Sequence, residues 1–331
     1  MPTPPRGARR TRPTLRDAGE FGLLARLLPT LPTAGVDVRL GPGDDCAVVA
    51  ARGALLLTVD ALVEGVHFRR DWLTPAALGR KAFAVNASDI AAMGGQPRWC
   101  VVQIGAPART PAADVAAISR AVAGAAARAG AALVGGNLSR AAELSVTLAL
   151  IGAAPPRPLT RAGARPGDAI YVTGALGDAA LGVRLLRRER TAQGAAVRRF
   201  RAPTPRLAAG ALLARRRLAS AMIDVSDGLV QDLGHLCAAS RVGARVELAR
   251  VPCSAAVRRA GVELALHGGE DYELLFTVPP RREAALARAA GQLGCRITRI
   301  GEVTRGRRVR VVDLQGRPTR VDDPGFDHFG G

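Results

Sequence analysis

The sequence predicts an α/β protein of two domains. Segments with the apolar pattern of strands alternate with helical segments along most of the chain, as in layered α/β architectures. A length of 331 residues and an apolar content of 48% provide material for two cores. A proline-rich segment at 153–158 has the composition of a linker. We therefore divide the chain into a tail (1–16), an N-terminal domain (17–153) and a C-terminal domain (154–331).

The first elements follow from local patterns. Residues 1–16 contain arginines and prolines and no acid, which predicts a disordered tail. A helical apolar pattern then runs through Leu31. The apolar run from Ala54 to Asp60 has the length of a strand and ends in a carboxylate. Thr74-Pro75 offers a capping hydroxyl and a first-turn proline, which predicts a helix that ends before Gly94.

Later elements continue the alternation. A second Thr-Pro pair at 110–111 predicts a helix to about residue 130. The segments that follow are predicted as a strand at 131–134, a glycine turn at 135–137, strands at 144–151, 168–173, 221–225 and 272–278, and helices near 176–190 and from Ser226.

The composition argues against a membrane protein or a secreted protein. The sequence has no run of 18 apolar residues, and its first residues lack the apolar core of a signal peptide. Its five cysteines are scattered and never form Cys-x-x-Cys, so neither a disulfide framework nor a zinc site is expected. We therefore expect a reduced, cytoplasmic setting.

A formal net charge of +19 raises the possibility of nucleic-acid binding. Lys81 is the one lysine, so the positive charge is arginine spread over the chain, and aromatic residues for base stacking make up 3%. The arginine-rich stretch 184–217 is more typical of a solvated helical surface than of a binding patch. An arginine-driven nucleic-acid-binding module remains the alternative from another class of protein, and it predicts steeply salt-dependent binding without ATP turnover.

Aspartates cluster at the ends of predicted elements, beside glycines or strand-like runs. In a chain with 47 Lys and Arg against 28 Asp and Glu, carboxylates grouped in this way favour Mg²⁺ binding and hence phosphate chemistry. Turns and helix caps are the structural alternative for each group. The groups are Gly43-Asp44-Asp45, Thr58-Val59-Asp60, Asn86 to Asp89, Asp224 to Gly228, and His267 to Glu273.

Two of these regions allow a finer interpretation. Ser226 can cap the helix that follows it, with Asp227 in the first turn, but capping does not require Asp224. His67 lies seven residues after Asp60, and a lone histidine is more often structural than functional. If His67 is functional, the absence of a Cys or second His at ligand spacing favours contact with an anionic substrate over metal binding. Walker A and Gly-x-Gly-x-x-Gly patterns are absent, which disfavours the usual nucleotide-binding folds.

As a set and in order, these motifs resemble the thiamine-monophosphate kinase family, within the superfamily of aminoimidazole ribonucleotide synthetase and selenophosphate synthetase. The pattern Asn-x-Ser-Asp-x-Ala-Ala-Met-Gly, which starts at Asn86, is shared across the superfamily. Gly-Val-His-Phe and the terminal Gly-Phe-Asp-His-Phe are more particular to the thiamine family. The matching segments are 41–47, 58–68, 81–97, 135–140, 159–164, 171–178, 223–236, 268–278 and 325–329.

The resemblance implies ATP-dependent phosphorylation of thiamine monophosphate to thiamine diphosphate, with ATP as co-substrate and several Mg²⁺ ions. It also implies a homodimer in which the N-terminal mixed sheets pair, a C-terminal α+β domain, and a nucleotide in the cleft between the domains. The implied Mg²⁺ ligands are Asp44, Asp45, Thr58, Val59, Asp60, Asp89, Asn137, Asp224 and Asp227. The implied nucleotide contacts are Gly136, Asn137, Arg161 and Ser226, and the implied substrate contacts are His67, Glu270 and Phe326.

Asn137 departs from the family pattern, which usually has Asp at this position. Asn keeps one oxygen donor but loses the charge, so one metal site should be weaker. Phe326 lacks the polar group of the Tyr or Trp often found there, although an apolar ring is sufficient for stacking. The nearest alternative function is therefore another ATP-using enzyme of the same superfamily with an altered substrate.

The expected mechanism is direct in-line phosphoryl transfer. A phosphate oxygen of thiamine monophosphate is already anionic near neutral pH, and the sequence offers no placed nucleophilic His or Ser. We therefore expect no phosphoenzyme and no catalytic side chain beyond the metal ligands. The metals, together with Arg161, would offset the repulsion between two polyanions.

Overall fold

A computed structural model of the chain describes residues 13–31, 37–42 and 46–319. The predicted site residues Asp44, Asp45 and Phe326 lie outside these ranges. Among the helices of the described ranges, none has the length and apolar character needed to cross a membrane.

The last residues of the segment predicted as a tail are part of a helix start. Thr14 caps a helix that starts at Leu15: its hydroxyl accepts a hydrogen bond from the Asp17 backbone N–H, and the Asp17 carboxylate accepts one from the Thr14 backbone N–H in return. The Leu15 N–H also donates to the Thr110 carbonyl at 2.8 Å. The last residues assigned to the tail are therefore structured, because a capping box fixes them despite their arginine-rich composition.

The N-terminal domain is a four-stranded mixed sheet with two long helices on one face. Its elements are α1 (Leu15–Ala18), α2 (Glu20–Leu27), β1 (Val38–Leu40), β2 (Val48–Val49), β3 (Leu55–Val63), α3 (Pro75–Ala92), β4 (Gln96–Ala106), α4 (Ala112–Arg128), β5 (Ala132–Arg140) and β6 (Ser145–Ala153). The strand order is β3-β6-β4-β5, with β4 and β5 parallel and the other pairs antiparallel. Strands β3 and β5 therefore form the two edges of the sheet.

Strand β5 corrects the predicted glycine turn. Gly135, Gly136 and Asn137 lie inside the strand, paired with β4, a strand that the sequence patterns did not predict. A Cβ on Gly136 would lie 2.4 Å from the Val102 carbonyl oxygen. The glycine therefore permits a close approach of two strands rather than a reversal of the chain.

Helix α3 is the central element of the molecule. Thr74 caps it as predicted, accepting a hydrogen bond from the Ala77 N–H at 3.2 Å. The helix is buried along most of its length because the sheet covers one side and the C-terminal domain covers the other. The contact between α3 and the C-terminal domain is close, since a Cβ on Gly210 would lie 2.0 Å from the Ala91 carbonyl oxygen.

The C-terminal domain is a six-stranded sheet with seven helices in the described chain. Its elements are β7 (Ala169–Thr173), α5 (Asp178–Arg188), α6 (Ala195–Arg201), α7 (Leu207–Arg215), β8 (Ala221–Val225), α8 (Leu229–Ser240), β9 (Gly243–Glu247), α9 (Ala255–Ala260), α10 (Glu263–His267), β10 (Glu273–Val278), α11 (Pro280–Ala289), β11 (Ile297–Thr304) and β12 (Val309–Val312). The strand order is β12-β9-β11-β7-β10-β8, antiparallel except for the β9–β12 pair.

Helix α6 joins the two domains through three consecutive residues. The Arg199 guanidinium pairs with the buried Glu273 carboxylate at 2.5 Å. The Phe200 carbonyl accepts a hydrogen bond from Lys81 of α3, and the Arg201 Nε donates to the Trp72 carbonyl at 2.6 Å. One short helix thus fixes strand β10, helix α3 and the loop after β3 relative to one another.

Candidate active site

A cavity of about 1170 Å³ lies between the two domains. Its walls come from the end of β3 and the loop that follows, from α3, from α5, and from the loops before α8 and before β10. The cavity brings together seven of the predicted site residues, namely Asp60, His67, Asp89, Asp224, Ser226, Asp227 and Glu270.

Four aspartates from three distant segments meet at this cavity. The pKa of Asp60 is raised to about 6, mainly by burial and to a smaller extent by the negative charges of Asp89, Asp227 and Glu270. Burial, followed by repulsion from Asp89, raises the pKa of Asp224 to about 7, although its carboxylate accepts a 2.6 Å hydrogen bond from Ser88. Ionising either carboxyl group therefore costs free energy, as expected when carboxylates are buried close to one another.

Asp89 is fixed by Thr58, whose hydroxyl donates to its Oδ2. Burial raises the pKa of Asp89, while this hydrogen bond and the positive charge of Arg161 oppose the shift. The predicted nucleotide contact Arg161 therefore lies close enough to the carboxylate cluster to influence it.

The loop before α8 is organised differently from the sequence expectation. The helix begins at Leu229, so Ser226 does not cap it. Instead, Asp232 of the first turn accepts hydrogen bonds from the backbone N–H groups of Ser226, Asp227 and Gly228, at 3.0, 3.1 and 3.1 Å. The loop is thus shaped by a carboxylate that lies inside the helix, and the side chains of Ser226 and Asp227 line the cavity instead.

Asp232 was missed by the sequence reasoning, as was its neighbour His235. Ligand atoms of Asp227, Asp232 and His235 all lie within 4.8 Å of one another. Burial, followed by the charge of Asp227, raises the pKa of Asp232 to about 7. The sequence does contain a signal for Asp232: an acid in the first turn of a predicted helix can accept hydrogen bonds from the backbone N–H groups of the loop before it.

Aromatic and basic side chains complete the lining of the cavity. His67 lines it, and its Nδ1 accepts a hydrogen bond from the Val63 N–H at 3.1 Å. Trp72 and Phe200, which the sequence patterns did not single out, meet edge to face with their centroids 6.1 Å apart. The lining also includes Tyr272, which lies close to the carboxylates, and Arg69, Arg184 and Arg187.

Five predicted residues of the described ranges do not line the cavity, namely Thr58, Val59, Gly136, Asn137 and Arg161. Thr58 and Arg161 nevertheless act on Asp89. Successive residues of a strand point to opposite faces of the sheet. Val59 and Asn137 belong to cross-strand rows that alternate with the buried row of Asp60, so they lie on the outer face of the N-terminal sheet. Gly136 lies in the same cross-strand row as Asp60, but on β5, at the opposite edge of the sheet. Three strand spacings, roughly 14 Å, separate the two edges of the sheet. A single chain therefore does not bring Val59, Gly136 and Asn137 to its own carboxylate cluster.

Comparison with known proteins places this geometry in a family. The chain matches the AIR synthase related protein N-terminal domain over residues 43–154 and the corresponding C-terminal domain over residues 165–314. It is 41% identical to thiamine-monophosphate kinase of Escherichia coli K12, over 94% of this chain and 98% of that protein. The chain belongs to the thiamine-monophosphate kinase family.

Solved structures agree with this assignment. Thiamine-monophosphate kinase from Stenotrophomonas maltophilia is 36% identical, with a TM-score of 0.78, and the match covers 90% of this chain and 95% of that chain. A structure of AaThiL complexed with AMPPCP and TMP is 33% identical, with a TM-score of 0.74 and coverage of 96% and 100%. The predicted family and the two-domain α/β architecture are confirmed, whereas the domain boundaries and the individual site roles remain predictions.

Proposed function

We propose that the protein transfers the γ-phosphate of ATP to thiamine monophosphate and releases thiamine diphosphate. The observation that carries this proposal is a single cavity whose lining combines a cluster of carboxylates with aromatic rings, His67 and Glu270. This lining suits a substrate that carries both a phosphate and aromatic rings. The proposal is also supported by the relatives, which are thiamine-monophosphate kinases.

The carboxylate cluster fits Mg²⁺. Within the described ranges, neither Asp60 nor Asp224 forms an ion pair, and burial and mutual repulsion raise the pKa of each. Such a set of oxygen donors is stabilised by a hard divalent cation. We assign Asp60, Asp89, Asp224 and Asp227 as ligands, with Thr58 orienting Asp89 and with Asp44 and Asp45 as further candidates. Bound Mg²⁺ would supply positive charge that offsets the repulsion between two phosphate-bearing substrates.

The aromatic lining would contact the thiamine rings. Trp72, Phe200 and Tyr272 line the cavity, and the Glu270 carboxylate offers a negative partner for the cationic thiazolium or an acceptor for the pyrimidine amino group. His67, whose Nδ1 accepts from a backbone N–H, would contact the substrate from the same cavity. Phe326, outside the described ranges, stays a candidate for stacking.

The chain's own residues would act by holding two substrates in line rather than by covalent catalysis. The acceptor phosphate oxygen is the nucleophile, so transfer needs no phosphorylated side chain. Arg161, whose positive charge acts on the Asp89 carboxylate, would contribute a fixed positive charge on the nucleotide side. Ser226 would contact the nucleotide from the loop that Asp232 shapes.

We further propose that the enzyme is a homodimer that pairs through the outer face of the N-terminal sheet. This face exposes Leu57 by 76%, Val59 by 63% and Val101 by 40%, on a sheet whose edge strand β3 is nine residues long. An exposed apolar face beside an open strand edge is typical of a protein–protein interface. A second copy is the favoured partner because Asn137, expected to bind nucleotide and metal, lies on this outer face and would then face the other copy.

One assay tests the function. Purified protein is incubated with Mg²⁺, ATP and thiamine monophosphate, and thiamine diphosphate is measured by chromatography while one component at a time is left out. We expect product only when all three are present. ATP turnover without thiamine diphosphate would instead point to another substrate within the superfamily, and tight, salt-sensitive RNA binding without turnover would support the nucleic-acid alternative.

A further inference from the structure

The one lysine of the chain is buried beside the cavity. Lys81 lies in the middle of α3 and is 0% exposed, and its ammonium pairs with the Glu270 carboxylate. Burial lowers the pKa of Lys81 and the negative charge of Glu270 opposes that shift. The pair joins a helix of the N-terminal domain to a loop of the C-terminal domain. Glu270, unlike Lys81, faces the cavity.

Two further contacts fix the position of the ammonium. Lys81 Nζ donates to the Phe200 carbonyl oxygen at 3.0 Å and lies 3.6 Å from the centroid of the Phe200 ring. Helix α6, which carries Phe200, is itself tied to β10 through Arg199 and Glu273. The charge of Lys81 is therefore held at one point, and Glu270 is the partner that lines the cavity.

The backbone around Glu270 is strained, and it is held in place on both sides. Glu270 and Tyr272 adopt φ values of 73° and 51°, which non-glycine residues rarely occupy. The Glu270 N–H donates to the Ser226 carbonyl at 2.7 Å, and the Tyr272 N–H donates to the Val225 carbonyl at 2.8 Å. Between them, the Asp271 carboxylate accepts from the Gly177 N–H at 2.7 Å. A strained backbone of this kind is maintained when surrounding contacts hold it in place, and such backbones are common at binding sites.

We propose that Lys81 is a positioning residue for thiamine monophosphate, and that it acts by holding the Glu270 carboxylate in place at the cavity wall. The backbone anchors set where the Glu270 Cα lies, and Lys81 sets where its carboxylate points. A bound substrate then meets a carboxylate that is already ordered, so binding does not have to order it. This inference rests on the proposed function, because it assigns to Glu270 the recognition of the thiamine moiety.

The test is a double-mutant cycle with Lys81→Met, Glu270→Gln and the combined variant. Lys81→Met keeps an unbranched side chain and removes the ammonium. We expect it to raise both the KM and the directly measured Kd for thiamine monophosphate by about tenfold, with the KM for ATP within about twofold of wild type. In the Glu270→Gln background the same change should add less than about twofold, because the carboxylate that Lys81 positions is already absent.

Several outcomes would overturn the inference. Lys81→Met could leave thiamine monophosphate binding unchanged, it could weaken ATP and thiamine monophosphate to the same extent, or its effect could be equally large in both backgrounds. If Lys81→Met alone does not fold because Glu270 is left unpaired, the combined variant is compared with Glu270→Gln instead, since neither then carries that unpaired charge. Failure of the wild-type protein to bind thiamine monophosphate would contradict the proposed function, which is a distinct result.

Discussion

The hydroxyl of Thr58 on β3 donates to the carboxylate of Asp89, thirty-one residues later on α3. This bond connects the edge strand of the sheet to the central helix at the cavity. It favours the ionised form of Asp89, whose pKa is raised by burial. Two positions chosen independently as metal ligands thus turn out to be partners, with one orienting the other.

Thr58→Val should therefore weaken metal use without unfolding the protein. The change keeps the shape of the side chain and leaves Asp89 without its donor, so protonation of Asp89 competes more strongly with cation binding. We expect the Mg²⁺ concentration for half-maximal activity to rise severalfold at pH 7, measured by titrating Mg²⁺ at saturating ATP. Thr58→Ser, which keeps the hydroxyl, should stay near wild type. Equal behaviour of the two variants would show that the bond has no role in metal binding.

Asp89→Ala and Asp227→Ala should each reduce turnover by on the order of 10²-fold or more, because each is assigned to an essential cation. Turnover is measured as thiamine diphosphate formed at saturating substrates and Mg²⁺. The control is Glu302→Ala, which removes an exposed carboxylate of β11 that does not line the cavity. Near-normal activity of either aspartate variant would mean that these residues cap and shape loops and do not bind metal.

The stability of the metal-free protein should fall as the pH rises. The folded-state pKa values of Asp60 and Asp224 are raised from 3.8 to about 6 and about 7. A raised pKa favours the folded state at low pH, and this contribution is lost as the pH rises from about 4 to about 7. Above that range Mg²⁺ should offset the loss. We therefore expect Mg²⁺ to raise the thermal midpoint more at pH 8 than at pH 5, measured by scanning calorimetry.

The control for this prediction is Asp60→Asn, which removes one of the two titrating groups without changing its shape. The variant should be more stable than wild type at pH 8 without metal and should gain less from Mg²⁺. A Mg²⁺ effect that is independent of pH, or one that is unchanged in Asp60→Asn, would contradict the assignment of these carboxylates.

Leu57→Asp should convert the proposed dimer into a monomer. The substitution places a charge on the apolar outer face of β3, where burial against a second copy would leave it unpaired. Sedimentation velocity should show about half the wild-type mass. Leu314→Asp is the matched control, because Leu314 is 82% exposed and lies away from that face. Identical masses for wild type and Leu57→Asp would exclude this surface as the interface.

Asn137→Asp should lower the Mg²⁺ requirement or increase turnover, because it restores a charged oxygen ligand on the outer face. The readout is activity across a Mg²⁺ titration, with Asn137→Ala as the variant expected to shift the requirement in the other direction. If both variants behave like wild type, Asn137 lies outside every metal site of the enzyme.

The sequence by itself determined the family, the two-domain α/β architecture and most of the elements that carry the cavity. It could do so because these features are local: β8 is predicted at its observed bounds, and the Thr74 cap is found where the Thr-Pro pair predicts it. The seven predicted residues that line the cavity were found for a similar reason, since each sits in a short segment whose composition is unusual for its surroundings.

Only the tertiary structure decided which of these residues meet. Asp232 shapes the loop around Ser226, and Lys81 holds Glu270 from 189 residues away in the sequence. Val59 and Asn137 lie on the face opposite the cavity because strand register sets the direction of a side chain. Such contacts depend on how distant segments pack, and no pattern within a single segment of the sequence carries that information.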